Sequence, residues 1–170
     1  MAWGMPLATF TLVHVVLSLI GIGSGLVVIS VLLRGRERSG WTALFLVTTV
    51  ATSVTGFGFP VDHLLPSHVI GIVSLVILVV AVVARYGLRL RGRWRPTYVI
   101  CAGVALYLNV FVGVFQAFLK VSALHALAPE QKEPPFLVAQ LVVLALSSVL
   151  IVVAAKRFHG ESPSKVWRRP

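Results

Sequence analysis

The chain has 170 residues, of which 58% are hydrophobic and only 12% charged, with a formal net charge of +10. So little charge cannot cover the core of a water-soluble domain of this size, which excludes the ordinary globular classes. The basic excess lies in short flanks between apolar runs, where it reads as a membrane-orientation signal and not as a nucleic-acid footprint.

Five apolar runs follow in chain order, at 7–33, 41–59, 67–88, 97–119 and 136–155. Each is close to the ~20 residues that carry an α-helix across ~30 Å of hydrocarbon. The expectation is an all-α integral membrane bundle of five transmembrane helices, occupying residues 1–158 as one domain. The first run lacks a basic leader, is too long for a signal-peptide core and runs directly into Arg34, Arg36 and Arg38. It is therefore expected to be a retained helix. Gly56, Gly58 and Pro60 close the second run, because proline cannot continue a helix and glycine weakens one. Ser67 is positioned to cap the third, and Pro134 and Pro135 to open the fifth. The stretch 121–128 is predicted to form a short surface helix, and the basic tail 159–170 to be disordered.

Orientation follows from the flanks. Arg34, Arg36 and Arg38 follow the first run, Arg85, Arg89, Arg91, Arg93 and Arg95 the third, and Lys156 and Arg157 the fifth. The alternate connections are poor in net positive charge. By the positive-inside rule the arginine-rich side and the C-terminus are cytoplasmic and the N-terminus is outside. Anionic lipid is the expected partner of that basic face.

Rotation at 100° per residue places His14, Ser18, Gly21 and Gly25 on one stripe of the first helix, and Thr48, Thr52 and Thr55 on one face of the second. Gly71, Ser74 and Ala81 share a face of the third. The fourth carries Ala102, Ala105, Asn109, Gly113, Gln116 and Lys120 on one side and Tyr107, Phe111 and Phe118 on the other. Gln140, Ser147 and Ala154 align on the fifth. Small and amide residues suit helix–helix contacts, so these stripes are expected to face one another, with the aromatic stripe toward lipid or a partner subunit.

Polar residues gather toward the outer face. His14, Asp62, His63, His68, Gln116, His125 and Gln140 lie on that side, Asn109 is near mid-membrane, and the inner half is mostly aliphatic. An intramembrane histidine is costly unless it is paired, lines water or binds something. An outward-opening pocket of His14, His68, Asn109, Gln116 and Gln140 is the expected ligand site. His14, Asp62, His63 and His68 have the donor types for a metal ion such as Zn²⁺ or Cu²⁺. A b-type haem between His14 and His68 is a further expectation, with Gly21, Gly25 and Gly71 leaving room for the porphyrin. Cys101, the only cysteine, reads as a packed hydrophobe.

No catalytic template is present: there is no paired intramembrane carboxylate, nucleophile elbow, zinc-protease helix or P-loop. The segments 41–45, 52–57, 66–68, 106–111 and 134–136 together give the chain a resemblance to small bacterial multi-pass membrane proteins with no assigned activity. The resemblance implies an inner-membrane setting and brings no cofactor or site. Three functional readings follow. The first is a non-enzymatic binding or accessory protein holding a metal ion, haem or small polar ligand. The second is a redox or electron-transfer subunit. The third is a structural subunit of a homo-oligomer or larger membrane complex.

Overall fold

Residues 3–60 and 66–158 are described by a computed structural model, with the side chain of Pro66 excepted. Among them the chain is helical throughout. The helices are α1 (Leu7–Leu33), α2 (Ser39–Gly56), α3 (Pro66–Val82), α4 (Trp94–Lys120), the short α5 (Ser122–Leu127) and α6 (Pro134–Arg157). A single π-helical turn, Val83–Gly87, extends α3. Pro134 and Pro135 open α6, where their missing N–H groups lose nothing. Ser67 differs from expectation: it lies inside the first turn of α3, behind Pro66, and not ahead of the helix. The segment 159–170, expected to be disordered, lies outside the described residues.

Among the described residues four helices are long and apolar enough to cross a membrane: α1, α3 with its π turn, α4 and α6. The second of the five expected spans, α2, is the exception by composition. Ser39, Thr42, Thr48, Thr49, Thr52, Ser53 and Thr55 fall within its 18 residues. Much of that polarity is turned back on the helix itself. The hydroxyls of Thr48, Ser53 and Thr55 donate to the carbonyls of Leu44, Thr49 and Ala51 at 2.7, 2.9 and 2.8 Å. Such back-bonding spares the hydroxyls a partner on another helix.

α4 is the centre of the bundle, in contact with α1, α2, α3, α5 and α6, while α2 bridges α1 and α3. The long helices alternate in direction. Glu37 after α1 meets Arg85 at the end of α3, Thr42 at the start of α2 meets Tyr98 at the start of α4, and the end of α6 lies against Gly35. The arginine-bearing connections therefore share one end of the bundle. At the other end His14 of α1 meets Thr55 of α2, Phe57 meets His68 of α3, and Phe118 of α4 meets Phe136 of α6. His125, on α5, is exposed at that same end.

The main core fills the arginine-side half. Val28, Ile29, Leu32, Phe45, Leu78, Tyr98, Val99 and Ala102 belong to it, and Ala81, Ala84, Ala105 and Ala154 are fully buried within it. Among the described residues the histidine-side half has the smaller cluster Phe118, Ala128 and Phe136, and, at the start of α1, the buried Phe10 ring packed edge-on against Trp3 and Phe59. Gly25 shows how tightly the first half is packed: a Cβ there would come within 2.6 Å of Leu106 and 2.9 Å of Phe45.

The α4 stripes divide only in part. Ala102 and Ala105 are buried, while Tyr107 and Phe111 of the opposite stripe are half-buried. Phe118 instead turns into the bundle, where its ring meets Phe136 edge-on at 5.4 Å. It lies near the end of α4, where the α5 connection and the start of α6 fold over it. Outside the core the bundle presents an apolar skin. Leu137, Val138, Leu141, Val142 and Leu146 of α6 are all exposed, as suits a surface solvated by lipid.

Candidate functional site

The innermost polar group of the histidine-side half is built around Gly21 of α1. A Cβ at this position would lie 2.9 Å from Asn109 Nδ2, 3.2 Å from Thr49 Oγ1 and 3.5 Å from Thr48 Oγ1. Only glycine lets α2 and α4 bring these side chains so close to the α1 backbone. Thr48 is satisfied by its own helix. Among the described residues Thr49, with 1% of its surface exposed, has no hydrogen-bond partner for its hydroxyl, and Asn109 has none for Nδ2.

Further toward the histidine end the same condition recurs. Thr52 Oγ1, Gln116 Oε1 and Gln140 Oε1 are buried without a partner among the described residues. Gln140 is anchored by its other end, its Nε2 donating to the Phe111 carbonyl at 3.2 Å and so tying α6 to α4. A buried polar group left unpaired costs about 1–3 kcal/mol, and five in one half of a bundle is a substantial standing cost. The groups include donors and acceptors: an amide N–H₂, two amide carbonyls and two hydroxyls that can serve as either.

His14 sits above them. Its Nδ1 lies 2.8 Å from Thr55 Oγ1. The Thr55 hydroxyl also reaches the carbonyls of Ala51 and Thr52, at 2.8 and 3.1 Å, so the contact ties His14 to a hydroxyl already shared within α2. The ring is braced edge-on by Phe59 at 5.2 Å between centroids. His68 is placed differently: it is buried on the far side of α2's end and stacked on Phe57 at 5.4 Å.

The five pocket residues expected from the sequence thus occupy several helix junctions: His14 at α1/α2, His68 beside Phe57, Asn109 at α1/α2/α4 and Gln140 at α4/α6. Gln116 lies two turns beyond Asn109 on α4. Of the expected metal donors, Asp62 and His63 lie outside the described residues. Among the described residues no group of three or more His, Cys, Asp or Glu side chains gathers as a metal-ligand cluster.

A haem does not fit between His14 and His68. The clearance that three glycines would provide is already filled: Gly21 by Asn109 and Thr49, Gly25 by Leu106 and Phe45, and Gly71 by the Phe57 ring at 3.1 Å from where a Cβ would stand. The Phe57 ring also covers a face of the His68 imidazole.

A second constellation, at the arginine end, escaped the sequence reading. The π turn after Val82 carries Arg85 to Glu37, and the two form an ion pair with Nη1 at 2.6 Å from Oε2. Arg85 is 10% exposed and Glu37 21%. The guanidinium carbon lies 5.2 Å from the Tyr86 ring centroid and 6.0 Å from that of Tyr98. Tyr98 OH, Thr42 Oγ1 and Glu37 Oε1 continue the chain at 3.4 and 3.5 Å. The available signal was charge arithmetic: Glu37 is the lone acid among the arginines of its flank, and Arg85 precedes the arginine loop by a full turn. Thr49 was missed because it stands one residue off the stripe of Thr48, Thr52 and Thr55.

No protein-family model, no curated protein and no solved structure matches this chain. Its functional reading therefore rests on its own residues.

Proposed function

We propose that this is a non-enzymatic, multi-pass membrane binding or accessory protein whose histidine-side half takes up a small polar ligand. The observation that carries the reading is the set of five buried, unpartnered polar atoms on Thr49, Thr52, Asn109, Gln116 and Gln140. The His14 imidazole adds a polar ring nearer the end of the bundle. A ligand offering both donors and acceptors would satisfy these atoms, and the cost of leaving them unpaired is what binding recovers. The anchoring amide of Gln140 and the braced ring of His14 supply preorganisation.

In this reading α2 is the fifth crossing, the hydroxyls of Thr48, Ser53 and Thr55 masked by back-bonding and its flanks covered by α1 and α3. The arginine end faces the cytoplasm and the anionic leaflet of a bacterial inner membrane, and the histidine end faces outward. Reporter fusions at Pro129 and after Arg157 test this orientation: Pro129 reads external and Arg157 cytoplasmic, and the reverse would invert it.

Access from outside is the direct test of the site. In a Cys101→Ala background, Thr52→Cys is exposed on intact cells to a small, membrane-impermeant thiol reagent. Labelling is expected, because the polar site opens outward. No labelling on intact cells, together with full labelling after unfolding, would show a closed helix contact and favour the structural-subunit reading.

A further inference from the structure

The connection from α3 to α4 folds back on the core. Leu90 is buried with Ala84, its N–H donates to the Ala84 carbonyl at 3.0 Å, and its own carbonyl accepts from Arg95 Nε at 2.8 Å. To reach this position Arg89 and Leu90 take φ values of 50° and 54°, in the left-handed region that L side chains seldom adopt. With Leu90 turned inward, Arg89 and Arg91 on either side of it stay exposed. Together with Gly87, Leu88 and Trp94 they line a concavity of about 470 Å³.

Charge in this region is unevenly spent. Arg85 is paired with Glu37, and Arg95 is engaged by the Leu90 carbonyl. Among the described residues no carboxylate pairs with Arg89 or Arg91. The concavity is thus a doubly positive hollow with an indole at its rim. From that rim an apolar stripe descends α3 through Val83, Val79, Val76 and Ile72, all exposed. Tyr86, exposed beside Gly87, is a second interfacial ring at the same level.

We propose that this concavity holds the phosphate headgroup of an anionic membrane lipid, with the acyl chain lying along the α3 stripe. Two guanidinium groups present forked donors suited to phosphate oxygens. The indole of Trp94 suits the glycerol level, where a ring is half in hydrocarbon and half in water. A free phosphate would use the arginines and neither the stripe nor the indole. The proposal rests on the membrane reading above and narrows the general attraction of a basic face to one seat.

The test uses the full chain, purified in a neutral detergent and titrated with phosphatidylglycerol, phosphatidylcholine or inorganic phosphate while thermal unfolding is followed. Phosphatidylglycerol is expected to raise the melting temperature saturably, and the other two to leave it unchanged. In Arg89→Gln/Arg91→Gln the apparent affinity for phosphatidylglycerol falls about thirty-fold, the loss expected for two basic side chains at an anionic surface. Arg34→Gln/Arg36→Gln, with the same charge change at the same end, keeps wild-type affinity. Trp94→Ala retains both arginines and also binds more weakly, which keeps the test open if the double variant fails to fold. Equal loss in the two double variants would overturn the seat and leave only diffuse attraction, with the orientation of the bundle untouched. An equal response to inorganic phosphate would replace the lipid with a free anion.

Discussion

The two halves of this bundle solve the problem of polar groups in different ways. In the arginine-side half, side chains interlock around Phe45, Leu32, Tyr98 and Ala105, the charged Arg85 is paired with Glu37, and the Tyr98 hydroxyl donates to Thr42. In the histidine-side half the apolar clusters are smaller, and five polar atoms are buried with no hydrogen-bond partner among the described residues. One half is arranged as a scaffold, with a single buried polar atom, Arg85 Nε, left without a hydrogen-bond partner among the described residues. The other carries an unmet demand for hydrogen bonds that packing alone does not explain. We propose that the difference divides stability from ligand uptake along the helices.

The comparison is broken most severely at the ion pair. Glu37→Ala leaves the largely buried Arg85 guanidinium without its carboxylate, and we expect a loss of ~3 kcal/mol in thermal or denaturant unfolding. The double variant Glu37→Gln/Arg85→Met, which removes both charges, should stay within about 1 kcal/mol of wild type by the same argument. A double variant as unstable as Glu37→Ala would mean that the pair itself holds the end together.

Overpacking comes next. Gly25→Ala places a methyl against Leu106 and Phe45 and should cost about 1–3 kcal/mol. Gly23→Ala, two residues away with open space around it, should be neutral or slightly stabilising through helix propensity. Equal effects at the two positions would refute the tight packing assigned to the arginine-side half.

In the histidine-side half a single polar contact should matter less. His14→Ala removes the hydrogen bond to Thr55 and the brace on Phe59, and is expected to cost about 1 kcal/mol, in the range of interhelical hydrogen bonds within membranes. A loss as large as that of Glu37→Ala would make His14 a scaffold residue.

The smallest effect lies in the connection before α6. Glu133 accepts hydrogen bonds from the backbone N–H groups of Glu130 and Lys132 at 3.0 and 2.9 Å. The Glu130 bond is the largest of the contributions that hold its carboxyl below the usual carboxylate range. A depressed folded-state pKa means the contribution is present above the unfolded value and lost as pH falls through the folded one. Followed by NMR, the amide protons of Glu130 and Lys132 should therefore titrate together below the ordinary glutamate range. Titration at the ordinary value would remove the contact.

Much of the fold was legible in the sequence because a membrane span is read from length and apolarity alone. The helices stand close to the five runs, and the one-sided arginines do gather at one end of the bundle. The stripes of Gly21 and Gly25, of Ala102 and Ala105, and of Gln140 and Ala154 were legible from helical period. What was not legible depends on local geometry. The π turn that brings Arg85 onto Glu37 shifts the helix phase, and no periodic pattern anticipates it. Phe118 was assigned outward because its rotation is right for lipid, yet the α5 connection folds over it. The glycines read as space for a porphyrin are the points where neighbouring side chains enter, since a sequence shows that a Cβ is missing and not what fills the gap.

The central claim is that the unpartnered polar atoms of the histidine-side half serve a ligand and not the fold. The most direct measurement is the thermal unfolding of the Thr49→Val/Asn109→Leu variant in detergent. Replacing orphaned polar groups by apolar ones of similar size removes a standing cost, so the melting temperature should hold or rise. A fall of several degrees would show that these groups bond within the protein and hold the helices together, and the binding reading would give way to a structural one.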